Sequence, residues 1–561
     1  MAVSEGVSAA THPGSRGVRE RLPLVLAGLL VGGPLLLFIL YPLLFILGRS
    51  FATPEGFGLD NYLSMLTTAR FLRIVYNSFE VTLVSTFLAV CAAYLFAYGI
   101  QRTRMPGRNL MRIIALVPLF APSLVQAQGL VLLFGRNGLI NRSFSTDIDI
   151  YGYWGIVISM VLYVFPYAFL ILSAALAVAD ARLYESARML GAGPWRSFRT
   201  VTLPSTKYGL AASIFVCFTL VITDFGNPMV IGANYNVLAT EVYNQVIGQA
   251  NFERGTVIGM VLLIPAAVAA ILEKYISQRQ FSQVSDQSRP LEILPQRRRD
   301  MAFAAISATI CLAILSIVAV VIFASFVHLW PYRMTFSLRH YHFDVQNGIQ
   351  PLWNSIYISL MAAGLGVVVV TAAAYVIEKF KSPFTRPLYF LSILPAAVPG
   401  MVLGLGYILA FNDPANPVYL IYGTLVIIAI VNVYYYHAQG FLIASTSMKQ
   451  ISGTFDEASA TLGGSRWQTL RKVTLPLMAP TLIGVAVFFF MRSMVTLSAV
   501  IFLITPQTQV AAVSVLLLED RGATNQAAAF SVCIMATVVG MLLLVRLLLR
   551  LAGFRGVSLI R

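Results

Sequence analysis

The sequence predicts an all-α integral membrane protein with twelve transmembrane helices. They form two parallel six-helix repeats related by a pseudo-twofold axis along the membrane normal. Three observations lead there. Hydrophobic residues make up 58% of the 561 residues and charged ones only 11%, against about 25% charged in soluble domains. Twelve runs approach the roughly 20 apolar residues that a spanning helix needs. The second half of the chain also repeats the first at a nearly constant offset.

Residues 1–21 are polar and rich in small residues, and read as an N-terminal tail. The apolar run 22–47 follows directly. It is too long for the h-region of a signal peptide, about 7–15 residues, and lacks an obvious cleavage site, so it reads as an uncleaved first span. Spans two to six are expected at 77–101, 110–134, 153–178, 208–232 and 255–273, and the second six at 303–327, 354–378, 387–411, 418–444, 477–504 and 526–550. Continuous apolarity with Gly and Pro inside the runs excludes alternating barrel strands. Pro118, Pro122, Pro395 and Pro399 recur in the third span of each half and are expected to kink it.

The formal net charge is +16. Nucleic-acid binding would need a water-facing basic domain, and no stretch is long and polar enough to make one, so no nucleic-acid partner is expected. The basic residues instead orient the chain. With the N-terminus in the cytoplasm, 29 of the 39 Lys and Arg fall on the cytoplasmic side, 9 outside, and Arg492 within a span. This bias predicts both termini on the cytoplasmic side of the membrane. Cys91, Cys217, Cys311 and Cys533 all sit in apolar runs without metal-ligand spacing, so neither a disulfide nor a metal site is expected.

An offset of 277 aligns Asn77-Ser78 with Asn354-Ser355, Tyr98 with Tyr375, Pro118 with Pro395, and Pro122 with Pro399. Further on, an offset of 272 aligns Glu185 with Glu457, Leu190-Gly191 with Leu462-Gly463, Trp195 with Trp467, Arg199 with Arg471, and Val201–Pro204 with Val473–Pro476. The expected halves are 22–276 and 301–561, joined by a polar cytoplasmic linker at 277–300. Six helices per half give both halves the same polarity, which places the repeat axis along the membrane normal.

The most polar conserved-offset segments are the loops 180–207 and 445–476. In YESARMLGAGPWRSFRTVTLP, Glu185 to Leu190 has helix-forming composition. Gly191 and Gly193 break that helix, and Pro194 suits the first turn of a second. Trp195, Phe198 and Val201 recur at helical spacing, interleaved with Arg196 and Arg199, and Pro204 marks the turn into the next span. A basic amphipathic helix of this kind fits either a docking partner or lipid headgroups. Its repetition between the fourth and fifth span of each half favours docking.

The loop resembles the EAA motif of permease subunits in binding-protein-dependent ABC importers. The first copy matches it at Glu185-Ser186-Ala187, Gly191, Val201 and Leu203-Pro204, and the second at Glu457-Ala458-Ser459, Gly463, Val473 and Leu475-Pro476. One alanine is Ser in each copy, and Val replaces Ile in both. The resemblance covers essentially the whole chain and implies a type I ABC importer permease fold. It also implies that these residues, with Trp195, Arg199, Trp467 and Arg471, couple to two copies of an ATP-binding subunit. ATP and Mg would lie on that subunit. Consistently, the sequence lacks a Gly-x4-Gly-Lys-Ser/Thr phosphate loop and is expected to carry no cofactor and no enzyme activity of its own. A periplasmic substrate-binding protein is the implied partner at the outer face. The fused arrangement resembles the ferric iron, thiamine and 2-aminoethylphosphonate branch. Residues 223–255 look most similar to 2-aminoethylphosphonate permeases, so a phosphonate is the expected solute, with ferric iron or thiamine as the alternative.

Ionisable groups within spans mark candidate function. Asp224 and Arg492 lie in the fifth span of each half; at offset 272 they align with Thr496 and Leu220. With Asn227 and Thr496 they are the candidate substrate-pathway residues, either gripping a zwitterion or forming a structural ion pair. Gln126, Gln128, Asn432 and His437 are expected to make interhelical hydrogen bonds. His328, His340 and His342 read as a solvated outer loop rather than an iron site. A secondary transporter would leave the twin loops unexplained, and a membrane enzyme would need a catalytic constellation that is absent.

Overall fold

A computed structural model describes residues 28–53, 55–178, 180–281, 293, 295–343, 348–380 and 383–551. The tail at 1–21 lies outside these residues, as does most of the linker. In the first half the helices are α1 (Gly28–Ser50), α2 (Ala69–Arg102), α3 (Arg108–Phe120), α4 (Leu124–Phe144), α5 (Tyr153–Ala177), α6 (Ala181–Met189), α7 (Pro194–Thr223), α8 (Gly226–Ile231), α9 (Leu238–Tyr243) and α10 (Phe252–Phe281). The second half repeats them as α11 (Arg297–Ser325), α12 (Gln350–Lys379), α13 (Thr385–Ala397), α14 (Gly400–Phe411), α15 (Leu425–Tyr435), α16 (His437–Lys449), α17 (Thr454–Thr461), α18 (Arg466–Met494), α19 (Ala511–Asp520) and α20 (Thr524–Leu551). α10 and α11 extend into the expected linker from either side.

Among the described residues nine helices can each cross a bilayer, and three bent pairs bring the total to twelve. The pairs differ from the sequence expectation in degree. α3 and α4 meet at 104°, and α13 and α14 at 111°. Pro122 and Pro399 therefore end one helix and start another rather than kinking it, because proline lacks the N–H and disfavours helix in the preceding residue. The expected span 418–444 is also broken, by 56° at Tyr436. It contains no proline, whereas α5 stays continuous through Pro166.

The fifth spans are displaced from 208–232 and 477–504. They begin earlier, at Pro194 and Arg466, and end earlier, at Thr223 and Met494. Apolar composition carried the expectation past their ends. The chain there leaves helix at Asp224 and Val495 and returns through the short helices α8, α9 and α19. The Asn-Ser pairs first seen as repeat markers hold these returns. Asn77 Nδ2 donates to the Asn236 carbonyl at 3.1 Å, and Ser78 Oγ accepts from Leu238 N at 2.7 Å. Asn354 Nδ2 donates to the Gln507 and Gln509 carbonyls at 3.0 and 2.9 Å, and Ser355 Oγ accepts from Ala511 N at 2.8 Å. Each pair satisfies backbone groups that lipid could not.

The halves exchange their first spans. α1 packs on α14 of the second half and α11 on α4 of the first. Glycines at equivalent positions permit both contacts. A Cβ on Gly129 would stand 2.5 Å from Ile317 Cγ2 and 2.9 Å from its carbonyl oxygen; one on Gly406 would stand 2.9 Å from Pro42 Cβ. Tyr407 Oη adds a hydrogen bond to the Phe38 carbonyl at 2.8 Å. Overpacking costs about 1–3 kcal/mol, so Gly129→Ala and Gly406→Ala should each lower the melting temperature of the purified protein by several degrees. Gly28, with nothing within 4 Å of its would-be Cβ, should tolerate Ala; equal melting of all three variants would refute this packing.

Candidate functional site: a cavity between the halves and two matched loops

The loops repeat in conformation as well as sequence. α6 ends with Gly191 at φ +73°, and α17 with Gly463 at φ +76°, backbone angles that favour glycine. In the first loop Ala192 N donates to Ala187 O and Gly191 N to Arg188 O, both at 2.9 Å; in the second, Gly464 N donates to Ser459 O at 2.8 Å and Gly463 N to Ala460 O at 3.0 Å. Both are Schellman C-caps. The chain then enters α7 and α18, each carrying a π-turn, Phe198–Thr202 and Leu470–Thr474. Leu203-Pro204 and Leu475-Pro476 follow that turn inside continuous helix, so Pro204 does not end a segment as expected. Its missing N–H is accommodated where the ladder is already widened.

The loop tips project from the bundle. Leu190 and Leu462 are 83% and 88% exposed, and Trp195 and Trp467 are 73% and 66% exposed. Glu185, Glu457, Ala458, Arg199 and Arg471 are also exposed. Paired apolar tips surrounded by charge make matched candidate docking surfaces.

The second feature is a small, partly open cavity of about 60 Å³ between the halves, room for a few water molecules. Asp224 and Arg492 both line it, as do their repeat partners Thr496 and Leu220. The structural ion pair, one of the two alternatives, is not present: among the described residues the ion pairs within 4 Å do not include these two. Asp224 Oδ2 instead accepts from Asn227 N at 3.0 Å and Asn227 Nδ2 at 3.1 Å, and the Ser123 hydroxyl reaches the same carboxylate. Arg492 Nη1 donates to Tyr167 Oη at 2.6 Å, and its guanidinium carbon lies 4.8 Å from the Tyr436 ring centroid. The Tyr436 and Thr496 hydroxyls share a hydrogen bond of 2.9 Å, and Thr496 Oγ1 donates to the Arg492 carbonyl at 2.6 Å.

Asn227 is outside the cavity wall. It is fully buried, and its Oδ1 accepts from Ala127 N at 3.1 Å, tying α8 to the start of α4. Sequence reasoning missed Tyr163, Tyr167, Tyr435, Tyr436, Ser123 and Ser498, all in the wall. One signal was available, since Tyr163 and Tyr435 stand at the 272 offset. A second is visible only in space. A Cβ on Gly226 would meet Ser123 Oγ, and one on Gly400 would meet Ser498 Oγ, so the two halves place serine and glycine on opposite sides of the same contact.

The remaining polar residues behave variously. Gln128 Nε2 donates to Glu519 Oε1 at 2.6 Å and its Oε1 accepts from Ser531 at 2.9 Å, while Asn432 Nδ2 donates to Ser493 at 2.7 Å. These are the interhelical bonds expected. His437 instead lies buried between Tyr434 and Phe441, with ring centroids 6.1 Å away on each side and no hydrogen bond at either nitrogen. His340, expected in a solvated loop, is buried with Nε2 2.9 Å from the Val327 carbonyl oxygen. Among the described residues no cluster of three His, Cys, Asp or Glu could hold a metal ion.

Replacing Asn227 by Ala would leave the Ala127 amide and Asp224 short of partners at a buried site, at about 1–3 kcal/mol. Asn227→Ala should therefore lower the melting temperature. An unchanged thermal transition would contradict the bridging role.

The comparisons with known proteins agree with this architecture. The family of binding-protein-dependent transport system inner membrane components matches residues 85–282 and again 366–553, one match per half. The ferric transport system permease protein FbpB of Actinobacillus pleuropneumoniae is 28% identical over 90% of this chain and 75% of its own length. The Fe(3+)-transport system permease protein FbpB 2 of Haemophilus influenzae is 24% identical over 86% of this chain and 89% of its own. The spermidine/putrescine transport system permease protein PotB of Salmonella typhimurium is 26% identical over 44% of this chain and 93% of its own. With the family matched in both halves, over most of its length, this chain belongs to the binding-protein-dependent transport system inner membrane components.

Proposed function

We propose that the chain is the permease of an ATP-driven importer and that its cargo is ferric iron delivered by a periplasmic binding protein. The observation that carries the cargo is the alignment of a ferric transport permease along 90% of this chain. The cavity supports it: the phenols of Tyr163, Tyr167, Tyr435 and Tyr436, with Asp224, are hard oxygen donors, the type that suits a small, highly charged cation. A second reading, 2-aminoethylphosphonate, is favoured by one observation. Arg492 and Asp224 face the same cavity without neutralising each other, as opposite poles of a zwitterion would require.

In this reading both termini are cytoplasmic and an ATP-binding subunit docks on each loop tip, bringing the ATP and Mg. The exposed Leu190–Trp195 and Leu462–Trp467 tips seat in that subunit, Glu185 and Glu457 contribute the charge beside them, and α7 and α18 carry the displacement to the cavity. Closure of the two subunits on ATP opens the cavity outward. A loaded binding protein promotes this only by binding the outward state more tightly than the inward one.

Three measurements test the proposal. Cells expressing the transporter should accumulate labelled ferric iron, and excess 2-aminoethylphosphonate should not compete; competition would reverse the order of the two cargoes. Glu185→Lys combined with Glu457→Lys should abolish co-purification of the ATP-binding subunit while leaving helix content and monodispersity unchanged. Retained co-purification would place the docking surface elsewhere. Asp224→Asn and Arg492→Gln, if both fold and still transport normally, would remove the cavity from the pathway.

A further inference from the structure

The cytoplasmic end of the second span touches the docking loop in each half, at equivalent positions and with different chemistry. In the second half Lys379, the last residue of α12, donates its Nζ to Asp456 Oδ2 at 2.6 Å. Asp456 immediately precedes Glu457. In the first half the equivalents are Arg102, the last residue of α2, and Tyr184, immediately before Glu185. There the Arg102 guanidinium carbon lies 5.0 Å from the Tyr184 ring centroid. Arg102 Nη2 also donates to the Leu176 carbonyl at 2.7 Å, and Tyr184 Oη donates to Thr202 Oγ1 at 2.9 Å. Both repeat offsets, 277 for the cation and 272 for its partner, bring the pairs into register, so each is a property of the architecture and not an isolated surface contact.

The neighbouring residue repeats the arrangement. Gln101 Nε2 donates to Ser173 Oγ at 2.7 Å, and at the matching place Ser445 Oγ donates to Glu378 Oε1 at 2.6 Å. Here a neutral contact in the first half stands where the second half uses a carboxylate, as a cation–ring contact stands where the second half uses an ion pair. Lys449 lies 3.4 Å from that same Glu378. Beyond it, Arg466 sits over the Phe380 ring at 5.1 Å, and Tyr375 Oη donates to the Arg466 carbonyl at 3.4 Å.

We infer that Lys379–Asp456 and Arg102–Tyr184 are a pair of clamps that fix each docking loop to the end of the second span, so that a pull on a loop moves two spans rather than one. Lys379, Asp456, Arg102 and Tyr184 are thus positioning residues. The role of the loops in docking rests on the function proposed above; the existence of the clamps does not. The clamps are unequal. The side chains of Lys379 and Asp456 are 17% and 40% exposed, open enough for salt to reach, and the Debye length falls to about 3 Å at 1 M. Arg102 and Tyr184 are 7% and 8% exposed and joined through a ring face and backbone, which salt screens little. The second loop is therefore releasable by ionic strength or charge, and the first is not.

Hydrogen exchange on the purified full-length chain in lipid nanodiscs reads the clamps directly. In the wild type, raising salt to 1 M should speed amide exchange across 454–461 by up to about fivefold, the upper range for a partly exposed ion pair, and leave 181–189 unchanged. Lys379→Asp and Asp456→Lys should each give the fast exchange at low salt, and the double swap should restore protection. Arg102→Gln should loosen 181–189 at all salt concentrations. In the complex reconstituted with its ATP-binding subunit and loaded binding protein, the single variants should lose uptake while the subunit still co-purifies, and the swap should recover most of it. Wild-type exchange in the single variants, or a swap as loose as either single change, overturns the clamps. Failure of the proposed function looks different: no ATP-binding subunit would co-purify with the wild type, while the exchange pattern would still stand or fall by itself.

Discussion

The structure depends on one constraint. In a bilayer every backbone N–H and C=O must find a partner, and irregular backbone survives only where protein covers it. The chain breaks helix within its apolar core at a few places, and these converge. The α3–α4 break brings Ala121 and Ser123 to the cavity, the end of α7 brings Asp224 to Gly226, the α15–α16 break brings Tyr435 and Tyr436, and the end of α18 brings Val495 to Ser498. The cavity wall is thus built largely of broken helix. Side chains meet the freed backbone: Asn227 holds Ala127 N, Asp224 holds Asn227 N, and Ser78 and Ser355 hold the first amides of the returning helices.

A symmetric backbone carries asymmetric chemistry. Capping, π-turns, glycine contacts and Asn-Ser anchors repeat between halves, because they set the path of the chain. The groups facing the cavity do not. Arg492 stands opposite Leu220, Asp224 opposite Thr496, and Tyr163 and Tyr435 alone keep the same side chain. On the proposed function the cavity presents both halves to one solute, and unlike groups from the two halves suit a cargo without twofold symmetry. The Lys379 and Arg102 contacts extend the same divergence to the loops.

Span number, repeat and loop construction were legible because each rests on a local pattern: apolar length, offset identity, and Gly and Pro at fixed places. The Schellman caps at Gly191 and Gly463 are where the glycines indicated. The boundaries of the fifth spans were not legible. Residues 224–232 and 495–504 are as apolar as a span, and only contacts with α4 and α14 decide that they are not helix throughout. The same limit hid Tyr167 and Tyr436, which reach Arg492 only after α5 and α15 are packed. Proline spacing showed where α3 and α4 separate but not that the angle would exceed 100°. The expectation for the solute drew on residues 223–255 alone, whereas the alignment with ferric transport permeases extends along most of the chain.

The central claim is that the two loops are handles moved by a shared motor. Spin labels at the equivalent tip positions Met189 and Thr461, in a chain with Cys91, Cys217, Cys311 and Cys533 replaced, would measure their separation by double electron–electron resonance. In the complex with the ATP-binding subunit, the account predicts that the distance shortens when a non-hydrolysable ATP analogue is added and that, with ATP itself, it lengthens again after hydrolysis. A separation that stays the same through the nucleotide cycle, in a complex that still transports, would contradict it.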